Sequence, residues 1–294
     1  MLSGVLIIDK PSEWTSHDVV AKLRGVLRQR RIGHGGTLDP MATGVLPVFV
    51  GRATRAAEFC GNADKEYVAG IKFGIVTDTQ DITGNVLEEK AVAVEVSDLA
   101  ELLPQFRGRL EQIPPMYSAV KQGGKKLYEL ARKGIEVERK PRDIFVSELE
   151  LIPAEMGDDP TLRIVCSKGT YVRTLCHDIG AALGCGAALS SLRRTRAGVY
   201  SADQSYTLDE VTAAASSGSL QNLFLPVDSI FSDFPAITLS EADVRKVKNG
   251  VRIKVSNCES GRYRVYALGG EFLLLGDVLS GQLCAVKSFF EVEV

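Results

Sequence analysis

The segment GHGGTLDPMATGVLPVFVG, residues 33–51, constrains the fold more than any other part of the chain. Its four glycines before Val45 permit backbone conformations that other residues avoid, and its two prolines each fix the dihedral angle φ. The first part therefore predicts an ordered loop whose backbone can approach a ligand closely, and residues 45–50 predict a strand. The segment is thus expected to be a rigid loop that leads directly into a sheet.

The rest of the chain mixes helical and strand patterns without a regular alternation, which favours an α+β architecture. Residues 4–8 predict a strand. Apolar residues at helical spacing follow a capping box at Thr15 and predict a helix that ends near residues 32–33. Further predicted elements are strands at 66–73, 144–152 and 161–166, a helix at 171–183, and a surface loop at 213–220.

Two changes in the character of the sequence predict its domain organisation. Residues 121–143 are polar, basic and flanked by prolines, and we expect a mobile insertion outside the core. From residue 235 onward, short β-type runs alternate with turns, which predicts a small β-rich domain over residues 235–294. Residues 1–232 then form a larger main domain.

The net charge of −2 conceals a segregation of charge along the chain. Residues 19–38 contain five Lys or Arg and no acid, and residues 121–143 contain eight against four acids. Residues 163–196 contain six against one. Such segregation predicts basic surfaces on one face of the molecule, although charge runs usually form solvated faces and favour RNA binding only weakly.

Several functional classes are disfavoured by what the sequence lacks. Its six cysteines have no C-x-x-C spacing, so single buried thiols are expected instead of a zinc site or a disulfide framework. There is no P-loop or dinucleotide fingerprint. No apolar run approaches the roughly 20 residues that span a bilayer, and the N-terminus lacks the basic region of a signal peptide. We expect a cytoplasmic protein with no metal and no membrane association.

Asp39 and Arg173 are the main candidates for chemistry. An aspartate before a proline is most often a turn former, but the glycine-rich loop gives Asp39 the defined setting that a catalytic carboxylate needs. Arg173, in CSKGTYVRTL at 166–175, is expected at the start of a helix. Its guanidinium either extends to solvent or pairs with a buried carboxylate, and the sequence leaves its pairing with Asp39 open.

Other residues suit nucleotide binding. Tyr67 lies on a predicted strand, where it belongs to the core or offers a π-face to a flipped base. In LRRTRAG at 192–198, Leu192 precedes three arginines that suit contacts with phosphate. Asp78 and Asp81 lie in a turn where they suit local hydrogen bonds to the backbone.

Taken together, these motifs resemble one family. Five motifs occur in the order and spacing of the bacterial tRNA pseudouridine-55 synthases of the TruB type. They are GHGGTLDPMATGVLP, KEY with FG and TDTQD, IPPMYSAVK, CSKGTYVRTL and LRRTRAG. The resemblance covers about residues 3–230. Residues 272–290 are similar, more loosely, to the PUA domain that commonly follows in that family.

The resemblance implies a role for each matched residue. Asp39 corresponds to the essential aspartate, and Arg173 to the arginine that pairs with it. His34 corresponds to the histidine that inserts into the tRNA T-loop as the target nucleotide leaves its stack. Tyr67 corresponds to the tyrosine that stacks on the flipped base, and Leu192 to an apolar residue of the base pocket.

The resemblance also implies the partner, which is tRNA bound at its T-arm and elbow region by a monomer. Residues 121–143 are then expected to act as an RNA clamp. The chain departs from the family at Glu13, where glycine is usual, and this puts the local turn in doubt more than the activity. The residues expected to contact RNA are Lys10, Arg31, Lys121, Lys125, Lys126, Arg193 and Arg194.

The implied reaction is the isomerisation of uridine 55 in the T-loop to pseudouridine, with no cofactor. A non-catalytic tRNA-binding or folding chaperone is the main alternative, since the basic segments and base-flipping residues would serve it equally. The joint presence of Asp39 and Arg173 disfavours that alternative. A synthase that acts in a guide-RNA complex is a second one, disfavoured because such relatives normally carry added basic extensions.

Overall fold

The computed structural model describes residues 2–153, 159–256 and 258–290, and its two largest sheets have nine and five strands. The strands are β1 Gly4–Lys10, β2 Ile32–His34, β3 Thr43–Val50, β4 Lys65–Phe73, β5 Ile75–Thr77, β6 Val86–Glu89, β7 Gly108–Gln112, β8 Lys121–Gln122, β9 Lys125–Lys126, β10 Arg142–Ile152, β11 Thr161–Cys166, β12 Ala187–Ala197, β13 Tyr200–Ser201, β14 Ala236–Leu239, β15 Ile253–Lys254, β16 Gly261–Ala267, β17 Phe272–Leu279 and β18 Gln282–Ser288. The α-helices are α1 Ser16–Val26, α2 Ala57–Asn62, α3 Val96–Leu102, α4 Leu127–Ala131, α5 Val172–Ala182, α6 Leu208–Ser217 and α7 Glu241–Lys248.

The nine-stranded sheet is mixed and has the strand order β1-β3-β12-β4-β11-β10-β7, with β2 and β13 paired to β3 and β12. Strands β3 and β12 run parallel, and the other neighbouring pairs are antiparallel. Apolar side chains of α1, α3, α5 and α6 pack with those of the sheet into one core. This architecture confirms the predicted α+β class, with a central mixed sheet and flanking helices.

Helix α1 is shorter than the sequence predicts. The Thr15 side chain accepts from the backbone N–H of Asp18, whose carboxylate accepts in return, so the predicted capping box is present. The helix ends at Val26, and at Arg28 the backbone turns to a φ of 49°. The predicted end near 32–33 is therefore wrong, because Ile32–His34 leave the helical pattern to pair with β3.

The segment between residues 121 and 143 is less separate from the core than predicted. It contains the β8–β9 hairpin and helix α4, whose Leu127 is only 1% exposed. Residues 142–143 already belong to β10 of the large sheet.

Another correction concerns residues 213–220, which were predicted as a loop. Helix α6 extends to Ser217, because Thr207 caps it and alanine favours helix.

The C-terminal residues form the five-stranded sheet, in the order β14-β16-β17-β18-β15, with α7 packed beside it. This confirms the predicted β-rich C-terminal region; residues 257 and 291–294 of the expected domain lie outside the described part. The region contacts the main body through the rings of Phe231, Phe272 and Phe289. In the described part of the chain, no helix is long and apolar enough to cross a membrane.

Candidate active site

The loop that carries Asp39 connects β2 to β3, and a buried lysine donates hydrogen bonds to it. Lys10 is fully buried, and its Nζ donates to the carbonyl oxygens of Pro40, Pro11 and Trp14 at 3.1, 2.8 and 2.6 Å. Burial lowers the Lys10 pKa to about 8, and the negative charge of Asp39 opposes that shift. The predicted contact between Lys10 and RNA is therefore wrong, because its ammonium is enclosed and engaged by the loop.

A buried arginine holds the two ends of the same loop. Arg194 is 1% exposed, and its guanidinium donates to the carbonyl oxygens of Val45, Gly36 and Thr37 at 2.7, 3.2 and 3.4 Å. Strand β12 lies between β3 and β4, which places Arg194 opposite both Gly44 and Tyr67. The predicted phosphate contact of Arg194 is therefore also wrong, because its donors point into the protein.

Ser16 connects the loop to the start of α1. Its hydroxyl accepts from the Leu38 N–H at 2.8 Å and lies 3.2 Å from the Leu38 carbonyl oxygen, to which it donates. These are the backbone groups immediately before Asp39. Together, Lys10, Arg194 and Ser16 satisfy the carbonyl groups on both sides of the aspartate, so its carboxylate projects from a fixed backbone.

Asp39 and Arg173 are in direct contact, although 133 residues separate them in the chain. The Arg173 Nε donates to Asp39 Oδ2 at 2.9 Å. The other two guanidinium nitrogens donate to the carbonyl oxygens of Thr79 and Tyr117, both at 2.8 Å. The Arg173 side chain is 4% exposed and that of Asp39 is 35% exposed. The buried arginine therefore orients the carboxylate, which remains accessible to a ligand from solvent.

A second carboxylate faces the same arginine. Asp81 is 5% exposed, and its Oδ2 lies 3.6 Å from Arg173 Nη1. Its Oδ1 accepts from the Thr79 hydroxyl at 2.8 Å and from the N–H and hydroxyl of Thr83 at 3.0 and 2.6 Å. The sequence predicted the local hydrogen bonds of Asp81. It gave no indication of the link to Arg173, although the T-D-T-x-D spacing marks the turn.

Two glutamines, which the sequence did not single out, fix helix α5 at the site. Gln112 is buried and its amide both accepts from the Tyr171 N–H at 2.8 Å and donates to the Tyr171 carbonyl at 3.1 Å. The Thr174 hydroxyl donates to Gln80 Oε1 at 2.6 Å, and Gln80 has a φ of 64°. A non-glycine residue in the left-handed region stores strain, which is common where a site must be held in one geometry.

Tyr67, Leu192 and His34 lie on strands β4, β12 and β2 of the sheet that carries the Asp39 loop. Tyr67 is half-buried on β4, and burial raises its pKa, so its phenol stays neutral at physiological pH. Leu192 on β12 is 8% exposed and lies opposite Ala69. His34 is half-buried, and burial lowers its pKa, with the positive charge of Arg194 adding to the shift. The Gly36 N–H donates to His34 Nδ1 at 3.4 Å, which suits a neutral ring protonated on Nε2.

The remaining predicted RNA contacts lie at or near the surface. Arg193 forms a bidentate pair with Asp9, at 3.0 and 2.8 Å, and keeps 42% of its side chain exposed. The Arg31 Nε donates to the Thr54 hydroxyl at 3.0 Å. The three lysines of the β8–β9 hairpin are exposed or half-buried: Lys121, Lys125 and Lys126.

Glu13, the departure from the family pattern, has a φ of 67°, a backbone conformation that favours glycine. Its N–H donates to the Pro40 carbonyl at 2.8 Å, so this turn also supports the Asp39 loop. A left-handed glutamate costs of order 1 kcal/mol relative to glycine, which the surrounding contacts must offset. The chain therefore retains the turn that glycine would favour.

Cysteines and metal ligands take no visible part in the site. Within residues 2–153, 159–256 and 258–290, no three or more His, Cys, Asp or Glu are grouped to hold a metal ion. Four of the six cysteines are buried, and burial raises the pKa of the Cys60 thiol to about 11 and that of Cys176 to about 12. Such thiols are not nucleophiles at neutral pH.

Comparisons with known proteins agree on one family. The model of the TruB family pseudouridylate synthase N-terminal domain matches residues 24–172, and that of the tRNA pseudouridylate synthase B C-terminal domain matches residues 173–232. The tRNA pseudouridine synthase B of Azoarcus sp. (strain BH72) is 45% identical over 96% of this chain and 93% of its own length. That of Clostridium kluyveri is 39% identical over 98% and 100%.

Solved structures give the same result for the fold. A chain of a Cbf5-Nop10-Gar1 complex is 27% identical, with a TM-score of 0.75 over 98% of this chain and 85% of that one. A chain of an H/ACA ribonucleoprotein bound to a substrate RNA containing 2′-deoxyuridine is 25% identical, with a TM-score of 0.74 over the same shares. The similarity includes the C-terminal β-rich region as well as the main body.

Proposed function

The chain belongs to the TruB family of pseudouridylate synthases, and on that premise we propose that it isomerises uridine 55 in the T-loop of tRNA to pseudouridine. The observation that carries the proposal is the 2.9 Å contact between Asp39 and the buried Arg173. It provides one oriented, partly exposed carboxylate on the sheet that also carries Tyr67, Leu192 and His34. A protein that only bound or refolded tRNA would need no exposed carboxylate oriented by a buried arginine.

The reaction breaks the bond between C1′ and N1 of uridine, turns the base, and forms a bond between C1′ and C5. Asp39 is the catalytic carboxylate, because its side chain is fixed by Arg173 and open to a ligand. A carboxylate serves this reaction either as a nucleophile or by stabilising positive charge at the sugar. Arg173 holds it in one orientation throughout, through three hydrogen bonds that join three segments of the chain.

The target uridine must leave its stack, which costs a few kcal/mol. We assign three residues to offset that cost. Tyr67 stacks on the flipped base, Leu192 forms an apolar wall of the pocket, and the neutral ring of His34 fills the space that the base vacates. A neutral imidazole suits this role, because inserting a charged ring into a base stack would require its desolvation.

Basic surface residues hold the rest of the tRNA. The β8–β9 hairpin, with Lys121, Lys125 and Lys126, acts as a clamp on the phosphate backbone, and Arg31 and Arg193 add contacts nearer the sheet. Residues 1–232 form the catalytic domain, and residues 235–294 act as a PUA-like RNA-binding domain. The enzyme works as a monomer on the T-arm and elbow of tRNA.

An assay on a T-arm minihelix with uridine tritiated at C5 tests the proposal. The wild type should release tritium and form pseudouridine at the T-loop uridine. Asp39→Asn keeps the size of the side chain and removes its charge, so it should release none while binding the minihelix within about threefold of wild type. Asp203→Asn, at an exposed carboxylate far along the chain, is the matched control and should remain active. A wild type that binds without releasing tritium would support the chaperone alternative.

A further inference from the structure

A cavity of about 1020 Å³ opens at the opposite end of β3 from the Asp39 loop. Strand β3 has eight residues and spans about 23 Å, so the cavity is too far from Asp39 to belong to the base pocket. Among the described residues that line it, four of nine are arginines and none is acidic. The lining residues are Leu2, Ser3, Leu27, Arg28, Gln29, Arg30, Arg31, Arg52 and Gln221.

The floor of this arginine cavity is rigid. The Gln29 amide donates to the Leu2 carbonyl at 3.0 Å, and the Gly51 N–H donates to the Arg31 carbonyl at 2.8 Å. Gly51 has a φ of 63°, and a Cβ there would lie 2.3 Å from the Leu2 carbonyl oxygen. The start of β1, the turn after α1 and the end of β3 are therefore packed backbone to backbone beneath the arginines.

Three of the arginines above this floor, Arg28, Arg30 and Arg31, have few partners among the described residues. Arg28 and Arg30 are exposed, and among the described residues no hydrogen bond or ion pair engages either guanidinium. Within the described part of the chain, the Arg31 guanidinium has one hydrogen bond, from Nε to the Thr54 hydroxyl. Like charges gathered on a concave surface raise the local positive potential, because the low-dielectric walls focus the field.

We propose that this cavity binds phosphate groups of the substrate RNA that lie outside the T-arm. The planar guanidinium groups match phosphate in a bidentate manner, and the other described lining residues are neutral or apolar. The cavity and the Asp39 loop lie at opposite ends of β3, so they would contact different segments of one folded RNA. This inference rests on the proposed function, since it takes tRNA as the substrate.

The test compares Arg30→Glu with Lys22→Glu. Both residues are exposed, but Lys22 lies on α1 and does not line the cavity. Binding of full-length tRNA and of a T-arm minihelix is measured from 50 to 200 mM salt. For full-length tRNA, Arg30→Glu should weaken binding about tenfold and reduce the slope of log K against log salt by about one. It should leave minihelix binding unchanged, and Lys22→Glu should match wild type on both RNAs.

Three results would overturn the inference. These are unchanged tRNA binding by Arg30→Glu, an equal loss with Lys22→Glu, or an equal loss on the minihelix. Thermal melting of each variant checks folding, and Arg30→Gln, which removes the charge without reversing it, should show a smaller loss. If inorganic tripolyphosphate stabilises wild type but not Arg30→Glu while tRNA binding is the same, the cavity takes free polyphosphate instead. Pseudouridine formation by wild type on the minihelix, measured in parallel, reports separately on the proposed function.

Discussion

Asp81 Oδ2 lies 3.6 Å from Nη1 of Arg173, the arginine whose Nε donates to Asp39 at 2.9 Å. One buried guanidinium is therefore shared by two carboxylates with different surroundings. Asp81 is enclosed and accepts three hydrogen bonds from threonines, whereas Asp39 is open to an incoming ligand. The enclosed acid balances the charge of the arginine from within, which leaves the arginine free to orient the open one.

Replacing Asp81 with asparagine should therefore impair turnover more than binding. The amide keeps the shape but removes the charge that faces Arg173, so we expect kcat to fall about tenfold or more, equivalent to about 1.4 kcal/mol, with KM little changed. Asp78→Asn is the matched control, because Asp78 lies in the same turn, is half-exposed and, among the described residues, hydrogen bonds only to Asn85. Steady-state kinetics on tRNA would contradict this role if the two variants behaved alike.

The depressed pKa of Lys10 predicts a loss of activity above pH 8. As pH rises through about 8, the ammonium loses a proton and one of its three carbonyl partners loses its donor. The Pro40 carbonyl beside Asp39 is among those partners, so kcat should decline with an apparent pKa near 8. Lys10→Met should be less active at pH 7 and should lack this alkaline decline. A decline that persists in Lys10→Met would assign it to another group.

Rising pH changes the contribution of Lys10 to stability in the opposite direction from its effect on activity. The folded pKa of about 8 lies below the value of 10.5 for an unperturbed lysine. Between those two pH values the unfolded chain binds more protons than the folded one, so this residue makes the free energy of unfolding rise with pH. The difference in unfolding free energy between wild type and Lys10→Met should therefore move in favour of wild type as pH rises from 8 to 10, even while activity falls.

Much of the site was predictable because several local motifs occur together in one order and spacing. A glycine-rich loop before a strand, and an arginine at a helix start, are local signals, and the structure contains both. The strands at 66–73, 144–152 and 161–166 were also predicted within two residues of their bounds. The contact between Asp39 and Arg173 was implied by the family resemblance, and the structure confirms it. The local pattern alone left it open, because it depends on how β3, β12 and α5 are arranged.

The burial of Lys10 and Arg194 could not be predicted either. Charged residues are almost never fully buried unless they are paired, so sequence alone places them at the surface. Here they are paired with backbone carbonyl groups of the Asp39 loop, which carry no sequence signature. The predicted end of α1 was wrong for a related reason. The left-handed turn at Arg28 and the pairing of residues 32–34 with β3 are tertiary effects that override helical spacing.

His34 should tolerate an uncharged aromatic replacement better than a small one. Its pKa is lowered by burial, so the ring is already neutral at pH 7, and its proposed role needs a flat ring and no charge. We expect His34→Phe to retain more activity than His34→Ala, and both to retain more than Asp39→Asn. Single-turnover kinetics on tRNA measures this order. Complete loss in both His34 variants would indicate a direct role in the chemistry.

The clamp role of the β8–β9 hairpin predicts an effect on binding with none on chemistry. Lys121→Gln with Lys125→Gln should reduce the salt slope of tRNA binding by about 1.5 to 2 and leave single-turnover kcat at saturating tRNA unchanged. Leu127 is left intact because it is buried. Lys72→Gln with Lys90→Gln removes the same charge from exposed positions elsewhere and should keep the wild-type slope. Equal slopes for the two double variants would reject the clamp.

Gly44 affects both the stability of the sheet and the geometry of the site. It has a φ of 99°, and a Cβ there would lie 2.2 Å from the backbone oxygen of Arg194, its partner across β3 and β12. Gly44→Ala should lower the free energy of unfolding by about 2 kcal/mol or more. It should also reduce kcat in the folded fraction, because a displaced Arg194 no longer holds the carbonyl groups of Gly36 and Thr37.

Gly33→Ala separates this effect from a general intolerance of side chains near the loop. Gly33 lies in β2, two residues before the loop, and a Cβ there meets no atom within 4 Å. The added methyl group restricts the unfolded chain, so stability should stay within about 0.5 kcal/mol of wild type or rise slightly. Gly44→Ala and Gly33→Ala should therefore differ both in kcat and in the free energy of unfolding, which chemical denaturation measures. If Gly44→Ala were as stable and active as Gly33→Ala, the contact between β3 and β12 could shift freely, and Arg194 would not be what fixes the position of Asp39.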